Sequence, residues 1–215
     1  MRLFIYIITS LITISLSAQE LPLLLQKTKE KIEGVEIAEG TVKLRLDVDF
    51  INMPEKSAQL SYRKGQPLAY ASENFIFIPK RGLDLSWSNL FAIDFLTVDR
   101  GLLEEEVKEL QVYTIIPNDP KADFAIMTIK VDTTDFQIVS AEISTKNEGT
   151  FRLELSYATD QALPSQVIAS FEMEKVRIPL NFMGSDTDID RKAMKSDGQK
   201  TGLVYLDFTW STIKP

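Results

Sequence analysis

Thr41-Val-Lys-Leu-Arg-Leu-Asp-Val-Asp-Phe50 is the stretch on which the fold turns. Val42, Leu44, Leu46, Val48 and Phe50 alternate with Thr41, Lys43, Arg45, Asp47 and Asp49. Successive side chains of a strand point to opposite faces, so this period of two predicts a strand with one buried and one solvated face. Ala58, Leu60 and Tyr62 repeat the pattern. Lys64-Gly-Gln-Pro67 then turns the chain toward Leu68 and Tyr70, and Phe75 to Ile78 is apolar on both faces. Further alternating runs cover 110–116, 124–131, 136–144, 151–157, 167–173 and 203–210.

Turn chemistry separates these runs: Asn118-Asp-Pro120, Asp132 to Asp135, Asn147-Glu-Gly149 and Asp160 to Pro164. Gaps this short hold no crossover helix, so neighbouring strands pair antiparallel. The expectation is a mainly β chain with a few helices. Its curved antiparallel sheet of roughly nine or ten strands forms an incomplete barrel.

Two segments carry the helical period instead. Leu21, Leu24, Leu25, Thr28, Ile32 and Val35 lie on one face, with charged residues opposite and Gly34 as the stop. They predict an amphipathic helix over about 20–33. Leu83, Trp87, Leu90, Phe91 and Phe95 likewise share a face and predict a helical insert within 83–104. Residues 180–200 read as a polar, charged loop, long enough to be functional or mobile.

The N-terminus reads as an address. Arg2, an apolar run from Leu3 to Leu16 and the small residues Ser15-Leu-Ser-Ala18 fit a secretory signal peptide over 1–18. That run is too short to span a bilayer comfortably. It leaves 19–215 as a single domain, expected to be exported, soluble and periplasmic. No cysteine follows the apolar run, so no lipid-attachment site is expected there. The formal charge of −7 disfavours nucleic acid and anionic lipid headgroups as partners, although plain solubility explains the acidity equally well.

Histidine and cysteine are both absent. That excludes a Ser-His-Asp triad, a Cys-His pair, a His-liganded zinc site and the usual haem ligands. No enzyme activity, metal or cofactor is expected. Asp186-x-Asp188-x-Asp190 opens like a calcium loop, yet Arg191 stands where the turn glycine belongs. Glu104-Glu-Glu106 reads as a solvated charge run, and Lys80-Arg81 as an exposed turn.

One face of a curved sheet is concave and must be filled. Val42, Leu44, Leu46, Phe151, Leu153, Leu155, Phe171, Met173, Leu206, Phe208 and Trp210 supply its apolar lining. Leu24, Leu25, Trp87, Phe91 and Phe95 supply helices that cover it. The same residues fit a closed core beneath two helices or an apolar cavity for a ligand. A long acyl chain is the obvious guest, each buried methylene contributing about 0.8 kcal/mol.

The late element Tyr157-Ala-Thr-Asp-Gln-Ala-Leu-Pro164 and the strand Gln166 to Met173 behind it carry a resemblance. So does Asp132-Thr-Thr-Asp-Phe-Gln-Ile-Val139. With the signal peptide, the first helix, the meander and the insert, the layout resembles the outer-membrane lipoprotein carrier superfamily. That LolA/LolB-like group has relatives among periplasmic regulators of the RseB type. The resemblance implies an incomplete barrel with a helical lid over an apolar cavity. It implies lipid or acylated-protein cargo, with an inner-membrane transporter and an outer-membrane acceptor as partners; a monomer is expected. In carriers an early-strand arginine fastens the lid, whereas Arg45 alternates with the polar face here. A periplasmic sensor or scaffold of the same fold, binding a protein partner, is the alternative.

Overall fold

A computed structural model describes residues 21–215 apart from 65, 67–68, 72–90, 92, 106–107, 123, 147–148 and 174–185. The signal peptide, Phe75 to Ile78, Lys80-Arg81 and Trp87 lie outside the described residues, as does the side chain of Met173.

The chain opens with α1, Leu23–Glu33. Pro22 precedes it as a cap that offers no side-chain hydrogen bond, and proline's fixed φ suits a helix entry. The strands follow as β1 (Ile37–Asp47), β2 (Ile51–Asn52), β3 (Lys56–Arg63), β4 (Ala69–Ala71), β5 (Phe95–Glu104) and β6 (Glu109–Pro117). After them come β7 (Phe124–Asp132), β8 (Ile138–Thr145), β9 (Thr150–Ser156), β10 (Gln166–Met173) and β11 (Asp188–Ile189). A short α2, Arg191–Lys195, precedes the long last strand β12, Lys200–Lys214.

Ten strands pair antiparallel in the order β4-β3-β1-β12-β10-β9-β8-β7-β6-β5. Among the described residues the end strands β4 and β5 do not pair, so the sheet is that of an incomplete barrel. Consecutive strands from β5 to β10 form a meander, as their short turns require. The last strand then inserts between β10 and β1 and joins the two halves.

Two turns show why the meander folds where it does. Asp132 Oδ1 accepts the backbone N–H groups of Thr134 and Asp135 at 2.9 Å each. This local satisfaction of backbone donors by an aspartate drives the turn before β8. In β5, Gly101 adopts φ +91°, a value that suits glycine, and its N–H bonds Asp99 Oδ1 at 2.8 Å. The pairing with β6 slips at that point, which makes a bulge on an edge strand.

Three expectations need correction. The helical insert cannot extend through 95–104, because that stretch is strand β5. Phe95 completed a helical spacing with Phe91, but it lies on β5 opposite Pro117. The loop expected over 180–200 holds, in its described part, β11 paired to β2 and the helix α2. Finally, the first strand stops at Asp47. A turn follows, with Ile51 N–H on Val48 O at 2.9 Å, and Phe50 is buried beyond the strand.

Candidate functional site

The concave face is built from rows that run across the strands. One row reads Leu44, Leu206, Val167, Leu155 on β1, β12, β10 and β9. The next reads Leu46, Val204, Ala169, Leu153, Ala141, Ile129 and Tyr113, reaching β6. A third reads Gly202, Phe171, Phe151, Ile143, Met127 and Ile115. Glycine opens that row because a Cβ at 202 would stand 2.6 Å from both Phe171 Cζ and Val48 Cγ2. Such rows follow from the register, since directly opposed residues share a face.

All the described site residues meet in one apolar cluster. Leu25, Val42, Leu44, Leu153, Leu155, Phe171, Leu206 and Phe208 are buried members, and Leu24, Leu46, Phe91, Phe95, Phe151 and Trp210 pack against them half-buried. Val42, Leu206 and Leu25 have no exposed surface. Phe208 and Trp210 stack with centroids 5.5 Å apart. The Trp210 indole N–H donates to Pro164 O at 2.8 Å, which satisfies its polar edge.

Two surface clefts accompany this interior. One of about 540 Å³ lies between α1 and the end of β12 and is lined by Glu30, Lys31, Val35, Gln161 and Trp210. The other, about 480 Å³, is lined by Asp47, Arg152, Phe171, Glu172 and Leu203. Both open to solvent. Of the residues named from sequence, Trp210 lines the first and Phe171 the second.

The interior has two described covers. The helix α1 sets Leu25 and Thr28 into it with no exposed surface. The Thr28 hydroxyl donates to Leu24 O at 3.0 Å, so its burial leaves no unsatisfied donor. Lys31 Nζ reaches Asp135 O at 2.8 Å, and Lys27 Nζ stands 4.7 Å from the Phe136 ring. Phe136 takes φ +54°, an uncommon conformation for a side chain of its size. The second cover is the segment 186–199. Ile189, Ala193 and Met194 pack against the cluster, yet no residue of 186–199 is fully buried. Its fastenings are polar: Asp190 N–H to Phe50 O at 3.0 Å, and the pairing of Asp188 and Ile189 with Asn52 and Ile51.

Buried polar groups escaped the sequence reading. Lys56 is 4 % exposed and sits on the inward series with Ala58 and Leu60. Its ammonium pairs with both carboxylate oxygens of Asp186. That hydrogen bond holds the Asp186 carboxyl below its ordinary value. Asp132 is 3 % exposed. Burial pushes its pKa up, but the Lys108 ammonium at 2.6 Å and the N–H groups of Asp135 and Thr134 outweigh burial and hold it low. The Tyr157 hydroxyl donates to Ile138 O at 2.9 Å, and burial pushes its pKa far up. Together with Gln137 Nε2 on Gln161 O at 2.6 Å, it fastens the Tyr157–Pro164 element to β8.

The remaining sequence signals resolve simply. Asp186, Asp188 and Asp190 do not converge: Asp186 meets Lys56, Asp188 pairs with Asn52, and Asp190 caps α2 through the N–H groups of Lys192 and Ala193. Among the described residues no carboxylate group gathers to hold a metal. Glu105 pairs with Lys130 at 3.0 Å on the surface. Arg45 is exposed on the polar face, its guanidinium 4.0 Å from the Tyr205 ring centre. No described helix is long and apolar enough to cross a membrane.

No family model and no curated protein matches the chain. Solved structures do. A LolA superfamily protein from Nitrosomonas europaea is 12% identical, with 88% of this chain and 92% of that one covered and a TM-score of 0.44. A putative outer membrane lipoprotein-sorting protein domain from Vibrio parahaemolyticus gives 12% identity, 88% and 91% coverage and a TM-score of 0.44. A DUF1329 family protein from Desulfovibrio piger gives 10% identity, 89% and 90% coverage and a TM-score of 0.44. What the site can do follows from its own residues.

Proposed function

We propose that this is an exported, periplasmic binding protein that shelters an apolar acyl-type guest against the concave face of its open sheet. The carrying observation is the single apolar cluster that joins α1 to the rows of β1, β12, β10 and β9. The lining is Val42, Leu44, Leu46, Phe151, Leu153, Leu155, Phe171, Leu206, Phe208 and Trp210, with Leu24 and Leu25 as the fixed wall above.

Binding is by sequestration and needs no chemical step. In the guest-free state the lining is buried against the chain's own covers, so a guest enters by displacing one of them. The cover at 186–199 is the one to yield, since none of its residues is fully buried and its fastenings include exposed polar groups. Each guest methylene that replaces it contributes about 0.8 kcal/mol. Uptake of a fluorescent fatty acid by the purified protein, with mass spectrometry of any co-purified lipid, tests the reading. Saturable uptake supports it. Guest-free protein that takes up no probe contradicts it.

One observation favours a second reading, a protein partner. On the outer face, Leu96 of β5 lies opposite Ile116 of β6, and both remain exposed, as does Ile126 of β7. Cross-linking in the periplasm that captures one protein through this row and no lipid would favour it.

A further inference from the structure

We propose that Lys56 is the anchor for an anionic head group, so that the guest is an acyl chain ending in a carboxylate or phosphate. This rests on the apolar-guest reading above and names the class of guest. Lys56 terminates the first apolar row, because its Cα partner on β1 is Leu44. It is the buried cation among the described residues, at 4 % exposure.

Stability alone does not account for a lysine at this place. A buried ion pair is often no better than a well-packed apolar residue, because desolvation offsets the attraction. The inward series Lys56, Ala58, Leu60 is otherwise apolar, and a methionine would continue it. Of the other buried polar groups, Thr28 leans on Leu24 O and Gln137 on Gln161 O, Asp132 combines two backbone N–H groups with the Lys108 ammonium, and Thr114 meets the Thr128 hydroxyl. Among the described residues, the bonds of Lys56 run to the Asp186 side chain alone, and that side chain is 48 % exposed.

The geometry is therefore that of an exchangeable counter-ion. The ammonium sits at the end of an apolar row, and its carboxylate partner arrives from the solvent side, on the cover without a buried residue. A guest carboxylate or phosphate can take the place of Asp186, keep the ammonium paired, and lay its chain along Leu44 and Leu206. The two charged groups then meet where water is near, while the tail lies inside.

Equilibrium binding of oleate, 1-oleoyl-lysophosphatidate and oleyl alcohol to the full chain, its K56M variant and its D186N variant tests this. Wild-type protein is expected to bind an anionic oleoyl compound about tenfold or more tighter than the alcohol, the worth of one charge-assisted hydrogen bond. In K56M that preference is lost, whatever the loosened cover adds to the affinity shared by all three. In D186N, with the internal competitor and the cover's ion pair both removed, all three compounds bind tighter and the anionic ones gain the most. The double variant K56M/D186N carries no unpaired buried charge and keeps the test open should D186N not fold; it is expected to bind all three alike. Preference for oleate alone, or for the lysophosphatidate alone, identifies the head group as carboxylate or phosphate. Equal binding of alcohol and anions by the wild type, or an unchanged preference in K56M, overturns the anchor and leaves the apolar-guest reading standing. No binding of any of the three overturns both.

Discussion

The two covers of the interior differ in what holds them. The helix α1 is set in place by Leu25 and Thr28, neither of which has any exposed surface. The segment 186–199 has no fully buried residue and is held by backbone pairing to β2 and by the Lys56–Asp186 ion pair. An apolar grip can be released only by exposing oily surface to water, whatever the guest. A polar grip can be handed to water or to a guest with the right charge at small net cost. On the proposed reading, that difference makes α1 the wall and 186–199 the entrance.

The comparison breaks first at its largest effect. Leu25→Ala is expected to lower global stability by about 3 kcal/mol in urea unfolding, from lost transfer energy and a residual cavity. Met194→Ala, half-buried on the second cover, is expected to cost about 1 kcal/mol or less. Equal costs would mean that the second cover is packed as firmly as the first.

A smaller effect concerns the turn beneath α1. Asp132 organises the turn that presents Asp135 O to Lys31 and the Phe136 ring to Lys27. Its folded pKa lies below that of an unfolded aspartate, so its stabilisation is fully present above about pH 4 and is lost as pH falls through the folded value. The urea midpoint of the wild type should therefore drop on acidification from pH 5. Asp132→Asn should lower the midpoint at pH 7 by about 1 kcal/mol equivalent and make the acid slope shallower. Asp186 is held low by Lys56 and contributes to the slope in the same direction. An unchanged slope in the variant would remove Asp132 from this role.

The smallest effect sharpens the picture of α1 itself. Lys31→Ala deletes an exposed hydrogen bond and should cost about 0.5 kcal/mol, seen as faster amide exchange confined to α1. A larger loss would show that the helix is held at its end rather than by Leu25.

Much of this was legible in the alternation around Val42 to Phe50 and its repeats, because a half-buried strand imposes period two on the sequence. What failed had physical reasons. Phe95 stands four residues after Phe91, and that spacing hid the start of an edge strand whose outer face is exposed. A two-residue strand and a five-residue helix are too short to show any period, so 186–195 read as loop. Asp190 ahead of Arg191-Lys-Ala-Met-Lys195 was the one local sign, as an N-cap. Lys56 shares the parity of Ala58 and Leu60, and that parity alone could have flagged it as inward. Its partner lies 130 residues away, and no local pattern reports such a pairing.

Hydrogen exchange read by mass spectrometry, with and without oleate, tests the central claim most directly. Without guest, peptides from 186–199 should exchange well before those of α1. With oleate, peptides from 186–199 should change their exchange and strands β1 and β12 should gain protection, while α1 keeps its own rate. Faster exchange in α1 with 186–199 unaltered, or no response anywhere to saturating oleate, would contradict the account.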